Sequence, residues 1–124
     1  MWTLDDTIAA ISSPPGQSHR TIVRLSGPAA IAIAARLFSP ASGESLASLG
    51  AFRCVAGTLT LDDNLAAPAS GYLFRAPRSY TRQDLVELHL PGSTPLATAA
   101  LAAALTDGAR QANPGEFTAR AFLT

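Results

Sequence analysis

The segment that most constrains the fold is residues 85–90, an apolar run within the longer stretch 79–93. Side chains of an extended chain alternate between the two faces of a sheet. The two faces are Val86, Leu88 and Leu90 on one side, and Leu85, Glu87 and His89 on the other. We predict that the first face is buried. The second face is either a half-solvated sheet surface or a place where a carboxylate and an imidazole, about 7 Å apart along the strand, orient a heterocyclic ligand.

Length and composition indicate one folded domain that spans residues 1–124. With 124 residues, 48% apolar and 15% charged, the chain is large enough to bury a core and too apolar to be disordered. No run approaches the length of about 18 apolar residues that a membrane helix requires, so no membrane partner is predicted. Cys54 is the only cysteine. We expect it to be a small buried residue in a reducing, cytoplasmic setting.

The charges exclude one kind of site and disfavour another. All nine positive charges are arginines, and nine acidic residues balance them. A neutral chain has little electrostatic reason to bind nucleic acid directly. A phosphate-binding P-loop requires a lysine, so these residues contain none, and we do not expect the chain to be catalytic by itself. His89 is the only candidate for a general base, and a structural histidine is the alternative.

The order of strands and helices predicts an α+β domain, in which a mixed β-sheet packs against helices in the order ββαβββα. Strands are predicted at residues 6–11, 20–26, 51–61, 65–74 and 85–90, and helices at residues 29–38, 96–105 and 117–123. Pro28 and Pro95 suit first helical positions. Pro68, within a strand, indicates an edge position or a bulge.

Three parts of the chain lead to expectations about assembly, tolerance to change and the extent of the chain. The helices carry little polar surface, which favours self-association. Residues 39–50 form a connection that we expect to be the most dispensable part of the chain. The final helix reaches Thr124 without a cap, so we expect the chain to be the N-terminal piece of a longer protein.

Arginines at two places have open interpretations. Arg24 lies in the apolar strand 20–26, where it either extends its charge to water or points at an anion or a ring. Arg75, Arg78 and Arg82 fall close together before residues 85–90. They belong either to a solvated loop or to the lip of an anion-binding site.

Three separated groups of motifs are similar to one family. They are Asp6-Thr-Ile-Ala-Ala-Ile-Ser-Ser-Pro-Pro-Gly16 with Ile22-Val-Arg-Leu-Ser-Gly-Pro28, then Ser79-Tyr-Thr with Asp84-Leu-Val-Glu-Leu-His89, and then Gly108-Ala-Arg with Pro114-Gly-Glu-Phe-Thr-Ala-Arg-Ala-Phe-Leu123. Their order and spacing resemble the N-terminal domain of MnmE, also called TrmE, the GTPase family that modifies the wobble uridine of tRNA. The resemblance covers nearly the whole chain, and the last segment is its most specific part.

This resemblance implies a fold, a ligand and partners. The fold would be similar to one half of the folate-binding domain of aminomethyltransferases. The domain would bind a tetrahydrofolate derivative (5-formyl- or methylene-tetrahydrofolate) and form a homodimer. GTP, magnesium and potassium would belong to a GTPase domain that these residues lack. The complete protein would work with the flavoprotein MnmG on tRNA.

The same resemblance implies two site residues, because Arg24 and Glu87 match family residues that contact folate. The chemistry is reasonable: a pterin offers an amino group and a ring N–H side by side, which one carboxylate can accept, and a guanidinium can fork to ring oxygen and nitrogen. The chain departs from the family at three glycine-rich places, where it has Gln17-Ser-His-Arg20, Thr81-Arg-Gln-Asp84 and Leu90-Pro-Gly-Ser93. Side chains at such positions can fill space that glycine leaves to a ligand.

Three functions are therefore compatible with the sequence. The first is the folate-binding and dimerisation module of a tRNA-modifying GTPase. The second is a divergent paralogue that binds no ligand and acts as a dimerisation module. The third is an independent folate-dependent transferase half-domain, for which the sequence offers no arranged nucleophile or base.

Overall fold

A seven-stranded sheet forms the centre of the fold, and residues 85–90 lie in its middle. The computed structural model describes residues 5–12, 20–50, 52–62, 65–92 and 94–123. Within these residues the strands are β1 (Ile8–Ser12), β2 (Arg20–Ser26), β3 (Phe38–Pro40), β4 (Phe52–Asp62), β5 (Leu65–Phe74), β6 (Leu85–Pro91) and β7 (Arg110–Gln111), and the helices are α1 (Ala30–Leu37), α2 (Thr94–Thr106) and α3 (Glu116–Leu123). The sheet order is β3-β4-β5-β6-β2-β1-β7. All neighbours are antiparallel except the parallel pair β1–β7, which confirms the predicted α+β class with a mixed sheet.

The core lies between one face of this sheet and the helices α1 and α2. Val86, Leu88 and Leu90 are buried there, as their alternation along β6 predicted. Val23 and Leu25 continue the same layer on the neighbouring β2. The helices contribute Ile31, Ile33, Ala34 and Leu37 from α1, and Ala97, Ala100 and Ala104 from α2. Because these α2 residues are alanines spaced three and four apart, that helix can lie close to the sheet.

The predicted order ββαβββα lacks two short strands that the structure contains, β3 and β7. Strands of three and two residues carry too little alternation to be recognised in a sequence. The expectation that residues 39–50 are dispensable is wrong. Leu46, in a 3₁₀ turn (Leu46–Ser48), and Leu49 are both buried in the core. The Phe38 ring of β3 lies so close to the neighbouring strand β4 that a Cβ on Gly57 of β4 would meet it at 2.7 Å.

The helix starts differ by one or two residues from the prediction. Pro28 precedes the N-cap residue Ala29 of α1 and so is not the first helical residue. The start of α1 is instead tied to β1, because the Thr7 hydroxyl accepts a hydrogen bond of 2.8 Å from the Ala29 N–H. Helix α2 begins at Thr94, one residue before Pro95. It ends as predicted, with the Gly108 and Ala109 N–H groups bonded to carbonyls of the last turn.

Two smaller expectations have opposite outcomes. Pro68 does lie where β5 has a free edge, because β6 pairs only with Ser70–Phe74 of that strand. Cys54, however, is exposed rather than buried. It lies on β4 opposite Tyr72, on the face of the sheet away from α1 and α2, and the sequence of β4 does not show which face the helices cover. None of the helices described is both long and apolar enough to cross a membrane.

Candidate functional site

Arg24 and Glu87 lie directly opposite each other on the neighbouring strands β2 and β6. Arg24 Nε donates to Glu87 Oε2 at 2.9 Å, and Arg24 Nη2 lies 2.8 Å from the same oxygen. Both side chains project from the face opposite the core and remain partly exposed. The structure thus brings the two predicted site residues together, but it pairs them with each other.

The third member of this cluster is His89, two residues beyond Glu87 on β6. Its Nε2 lies 3.1 Å from Glu87 Oε1. Its ring packs on Tyr72 of β5, with centroids 4.2 Å apart and planes at 39°. His89 Nδ1 is buried and has no hydrogen-bond partner among the residues described. His89 thus contacts Glu87 through one ring nitrogen, while the other is left without a partner in the described part of the chain.

A cavity of about 310 Å³ opens beside the Arg24–Glu87 pair. It is lined by Arg24, Tyr80, Leu85, Glu87, Phe117 and Thr118. The Phe117 ring forms one wall, with its centroid 5.6 Å from the Arg24 guanidinium carbon, a cation–π distance. Tyr80 closes the neighbouring side, where its hydroxyl donates to the Thr118 hydroxyl at 3.1 Å.

Sequence reasoning missed Tyr80, Phe117 and Thr118 as lining residues. Each lies in a motif quoted for the family resemblance, Ser79-Tyr-Thr or Pro114-Gly-Glu-Phe-Thr, and that membership is the signal that could have identified them. Their spacing in the chain gives no sign of contact with Arg24. Only the packing of α3 against the sheet brings them together.

A larger and more open cavity of about 410 Å³ lies farther along the same face, next to His89. Arg20, Ser70 and two prolines are among its lining residues. It does not include Arg24 or Glu87, so the predicted site residues belong to the smaller cavity. The interpretation that residues 17–20 fill the ligand site concerns a segment of which only Arg20 is described.

Helix α3, which carries Phe117 and Thr118, is attached by charges rather than by apolar packing. Its two buried residues are Glu116 and Arg120. Glu116 accepts hydrogen bonds from Arg110 Nη1 at 3.0 Å, from Arg110 Nη2 at 2.5 Å and from the Asn113 N–H at 2.9 Å. Arg120 contacts the carboxylate of Asp6 and donates to the Asp6 carbonyl at 2.8 Å. These bonds tie the helix to the start of β1.

The network also changes the acidity of its members. Hydrogen bonds from Arg110, supported by the Asn113 N–H and by the charges of Arg110 and Arg120, hold the pKa of Glu116 below its usual value in spite of burial. The same bonds, to Glu116 and Asp6, raise the pKa of Arg110. The Glu116 carboxylate is therefore ionised in the folded protein at neutral pH.

The three arginines of the loop before β6 differ: Arg75 has a structural role that neither interpretation foresaw, and exposed Arg78 and Arg82 are compatible with a solvated loop. Arg75 donates to the carbonyls of Ala47 at 2.6 Å and Leu49 at 3.1 Å, so it fastens the buried 3₁₀ turn. Arg78 and Arg82 are exposed. Arg82 also has a positive φ of 62°, a backbone conformation that glycine adopts more readily.

The chemistry available at the smaller cavity is recognition of a polar ring. A carboxylate has about four acceptor positions, and Arg24 contacts Oε2 while His89 contacts Oε1. A ligand with two adjacent donors would therefore need Arg24 to move from Oε2 toward the ligand. No group of three or more metal-ligating side chains occurs within the part of the chain that the structure describes.

Comparison with known proteins gives a consistent answer. The profile of the family "GTP-binding protein TrmE N-terminus" matches residues 7–124. The tRNA modification GTPase MnmE of Chloroflexus aurantiacus is 46% identical over 121 residues, which cover 97% of this chain and 26% of that protein. The MnmE proteins of Moorella thermoacetica and Bacillus subtilis are 42% and 41% identical and cover 97% and 95% of this chain. The chain spans about a quarter of the length of these relatives, 26% of each.

Proposed function

The chain belongs to the family of GTP-binding protein TrmE N-termini, and from this premise we propose that it is the tetrahydrofolate-binding and homodimerisation module of a GTPase that modifies the wobble uridine of tRNA. The GTPase chemistry, with GTP, magnesium and potassium, belongs to other parts of that protein. Its partners are tRNA and the flavoprotein MnmG, and it acts in the cytoplasm. The family resemblance supplies the ligand, and the geometry of the cavity supports it.

The observation that carries the proposal is that the motif segments converge on one cavity. Arg24 comes from the first group of motifs, Tyr80 and Glu87 come from the second, and Phe117 comes from the third. These groups are far apart in the chain, and a purely structural motif would have no need to line an open cavity. Their meeting beside a partly exposed carboxylate and guanidinium is typical of a small-molecule site.

Each lining group suits one part of a reduced pterin. The Glu87 carboxylate can accept the exocyclic amino group and the neighbouring ring N–H, and Arg24, once it turns from Oε2, can donate to the ring carbonyl. Phe117 offers an aromatic face to the ring system. The cavity of about 310 Å³ is at the small end of ligand sites, so it suits the pterin head and leaves the rest of the ligand outside.

Homodimerisation is supported by apolar side chains that the isolated chain leaves in water. Phe52 is 66% exposed, Tyr80 54%, Phe122 86% and Leu123 60%. Contiguous exposed apolar side chains mark surfaces that contact another protein, and Phe122 and Leu123 are adjacent at the end of α3. Analytical ultracentrifugation tests this part directly: we expect twice the chain mass at micromolar concentration, and a monomer there would contradict it.

One observation favours the alternative of a paralogue that binds no ligand. Arg24 and Glu87 satisfy each other at 2.8–2.9 Å, so a ligand must compete with an ion pair already formed. The chain can therefore retain this pair as a purely structural contact.

Isothermal titration calorimetry with 5-formyltetrahydrofolate distinguishes the two functions. We expect saturable binding to the wild-type chain and weaker binding to Phe117→Ala. The control is Glu44→Ala, because Glu44 is exposed, does not line the cavity and is not among the apolar side chains assigned to the dimer. Absence of binding to folded, dimeric wild-type protein would favour the ligand-free paralogue.

A further inference from the structure

We propose that His89 is a positioning residue for the ligand site. It holds the Glu87 carboxylate by a bond to Oε1 while Arg24 leaves Oε2 and the ligand binds there. The inference rests on the proposed function, because it concerns how Glu87 is presented. It starts from the three contacts of one carboxylate. Arg24 occupies Oε2 at 2.8–2.9 Å, and His89 Nε2 lies 3.1 Å from Oε1.

The chemistry of the His89–Glu87 contact defines the state of the ring. An ionised carboxylate only accepts hydrogen bonds, so the proton of this bond lies on His89 Nε2. His89 Nδ1 is buried and has no partner among the described residues. A proton there would be an unsatisfied buried donor, whereas an unprotonated Nδ1 leaves only a lone pair without a partner, which costs less. Nε2 therefore carries the hydrogen that bonds to Glu87 Oε1.

The position of the ring is itself restrained. The His89 side chain is 11% exposed, and its ring packs on Tyr72 at 4.2 Å. Strand pairing places Tyr72 directly opposite Glu87 and His89 directly opposite Ile22 and Ser70. The donor at Nε2 is thus attached to a rigid part of the sheet, in contrast to the flexible guanidinium of Arg24.

This difference in rigidity gives the two partners of Glu87 different roles. A ligand that presents two adjacent donors needs both carboxylate oxygens, and Arg24 must then leave Oε2. Without a second contact the freed carboxylate would rotate about its terminal torsion, which is soft. The bond from His89 to Oε1 prevents that rotation, so that the carboxylate plane keeps its direction toward the cavity.

The test is a double-mutant cycle on 5-formyltetrahydrofolate affinity, measured by calorimetry. His89→Phe keeps the ring contact with Tyr72 but loses the donor, and we expect it to bind roughly tenfold more weakly, as for loss of one bond to a charged group. His89→Gln, which can place an N–H near the same oxygen, should recover most of the affinity. In a Glu87→Gln background His89→Phe should add no further loss, because the anion that it positions is gone.

The outcomes separate this inference from the proposed function. Wild-type affinity in His89→Phe, or equal losses in both backgrounds, would overturn the positioning role while folate binding stands. If the wild-type chain binds no folate, the proposed function fails, and ¹⁵N NMR of the imidazole decides the inference about His89. Hydrogen on Nε2 in the wild-type protein, with a mixture of tautomers in Glu87→Ala, would support the bond from His89 to Glu87 Oε1. Hydrogen on Nδ1 in the wild-type protein would refute it.

Discussion

Glu116→Gln should destabilise the domain by about 3 kcal/mol at pH 7, because the substitution removes a buried charge from its partners. The Glu116 side chain is fully buried and meets Arg110 at 2.5 and 3.0 Å and the Asn113 N–H at 2.9 Å. Breaking a buried ion pair typically costs about 3–5 kcal/mol. The low end applies here, since the Arg110 side chain is 38% exposed and can regain water.

The loss should depend on pH in a defined direction. Arg110 holds the folded-state pKa of Glu116 below its usual value, and the unfolded value is about 4.3. A carboxyl group whose pKa is lower in the folded state than in the unfolded state contributes its full stabilisation when the pH is above the unfolded-state pKa. This stabilisation is lost as the pH falls through the folded-state pKa. The difference in free energy of unfolding between wild type and Glu116→Gln should therefore be constant from pH 7 to about 5 and shrink below pH 4.

Urea denaturation followed by circular dichroism, at pH 7 and in steps to pH 3, measures both quantities. Glu44→Gln is the matched control, because Glu44 is an exposed residue of the loop after β3, and we expect a change below about 0.5 kcal/mol. A Glu116→Gln protein within 0.5 kcal/mol of wild type at pH 7 would refute the reasoning. A deficit that stays the same at pH 3 would refute the part about ionisation.

Three further substitutions test the fold. Arg82→Gly should stabilise the domain by about 0.5–1 kcal/mol in urea denaturation, because Arg82 has φ 62°; a loss of stability would show that its side chain matters more than its backbone. Leu46→Ala should cost about 2–4 kcal/mol, since Leu46 is 1% exposed, and a neutral effect would restore the view that residues 39–50 are dispensable. Gly57→Ala should lower the melting temperature, because its Cβ would lie 2.2 Å from the Ser39 carbonyl oxygen. An unchanged melting temperature would mean that β3 can shift to make room for the methyl group.

The sequence was sufficient for features that depend on local alternation. The buried face of β6, the bounds of β2 and the end of α2 before Gly108 were all predicted from residues within a few positions. The placement of Glu87 on the face opposite the core followed from the same alternation. What alternation could not show is that Arg24 and Glu87 pair with each other, because strand order depends on contacts between distant parts of the chain.

The features that were missed depend on tertiary packing. Leu46 looks like any loop leucine until Arg75 fastens its turn over the core. Cys54 was expected to be buried because cysteine usually is, but its face of β4 is not covered by α1 or α2. Glu116 and Arg120 lie four residues apart, as many surface pairs do, and only contact with Asp6 and Arg110 shows that they attach the helix.

The measurement that tests the central claim most directly is 5-formyltetrahydrofolate affinity of Glu87→Gln compared with Glu44→Gln. Both substitutions remove one carboxylate and keep the side-chain volume, but only Glu87 lines the cavity with Arg24. We predict that Glu87→Gln binds roughly 10- to 100-fold more weakly, as for a lost bond to a charged acceptor, while Glu44→Gln matches wild type and both proteins remain folded. Equal affinity in Glu87→Gln and wild type would contradict the assignment of this cavity as the folate site.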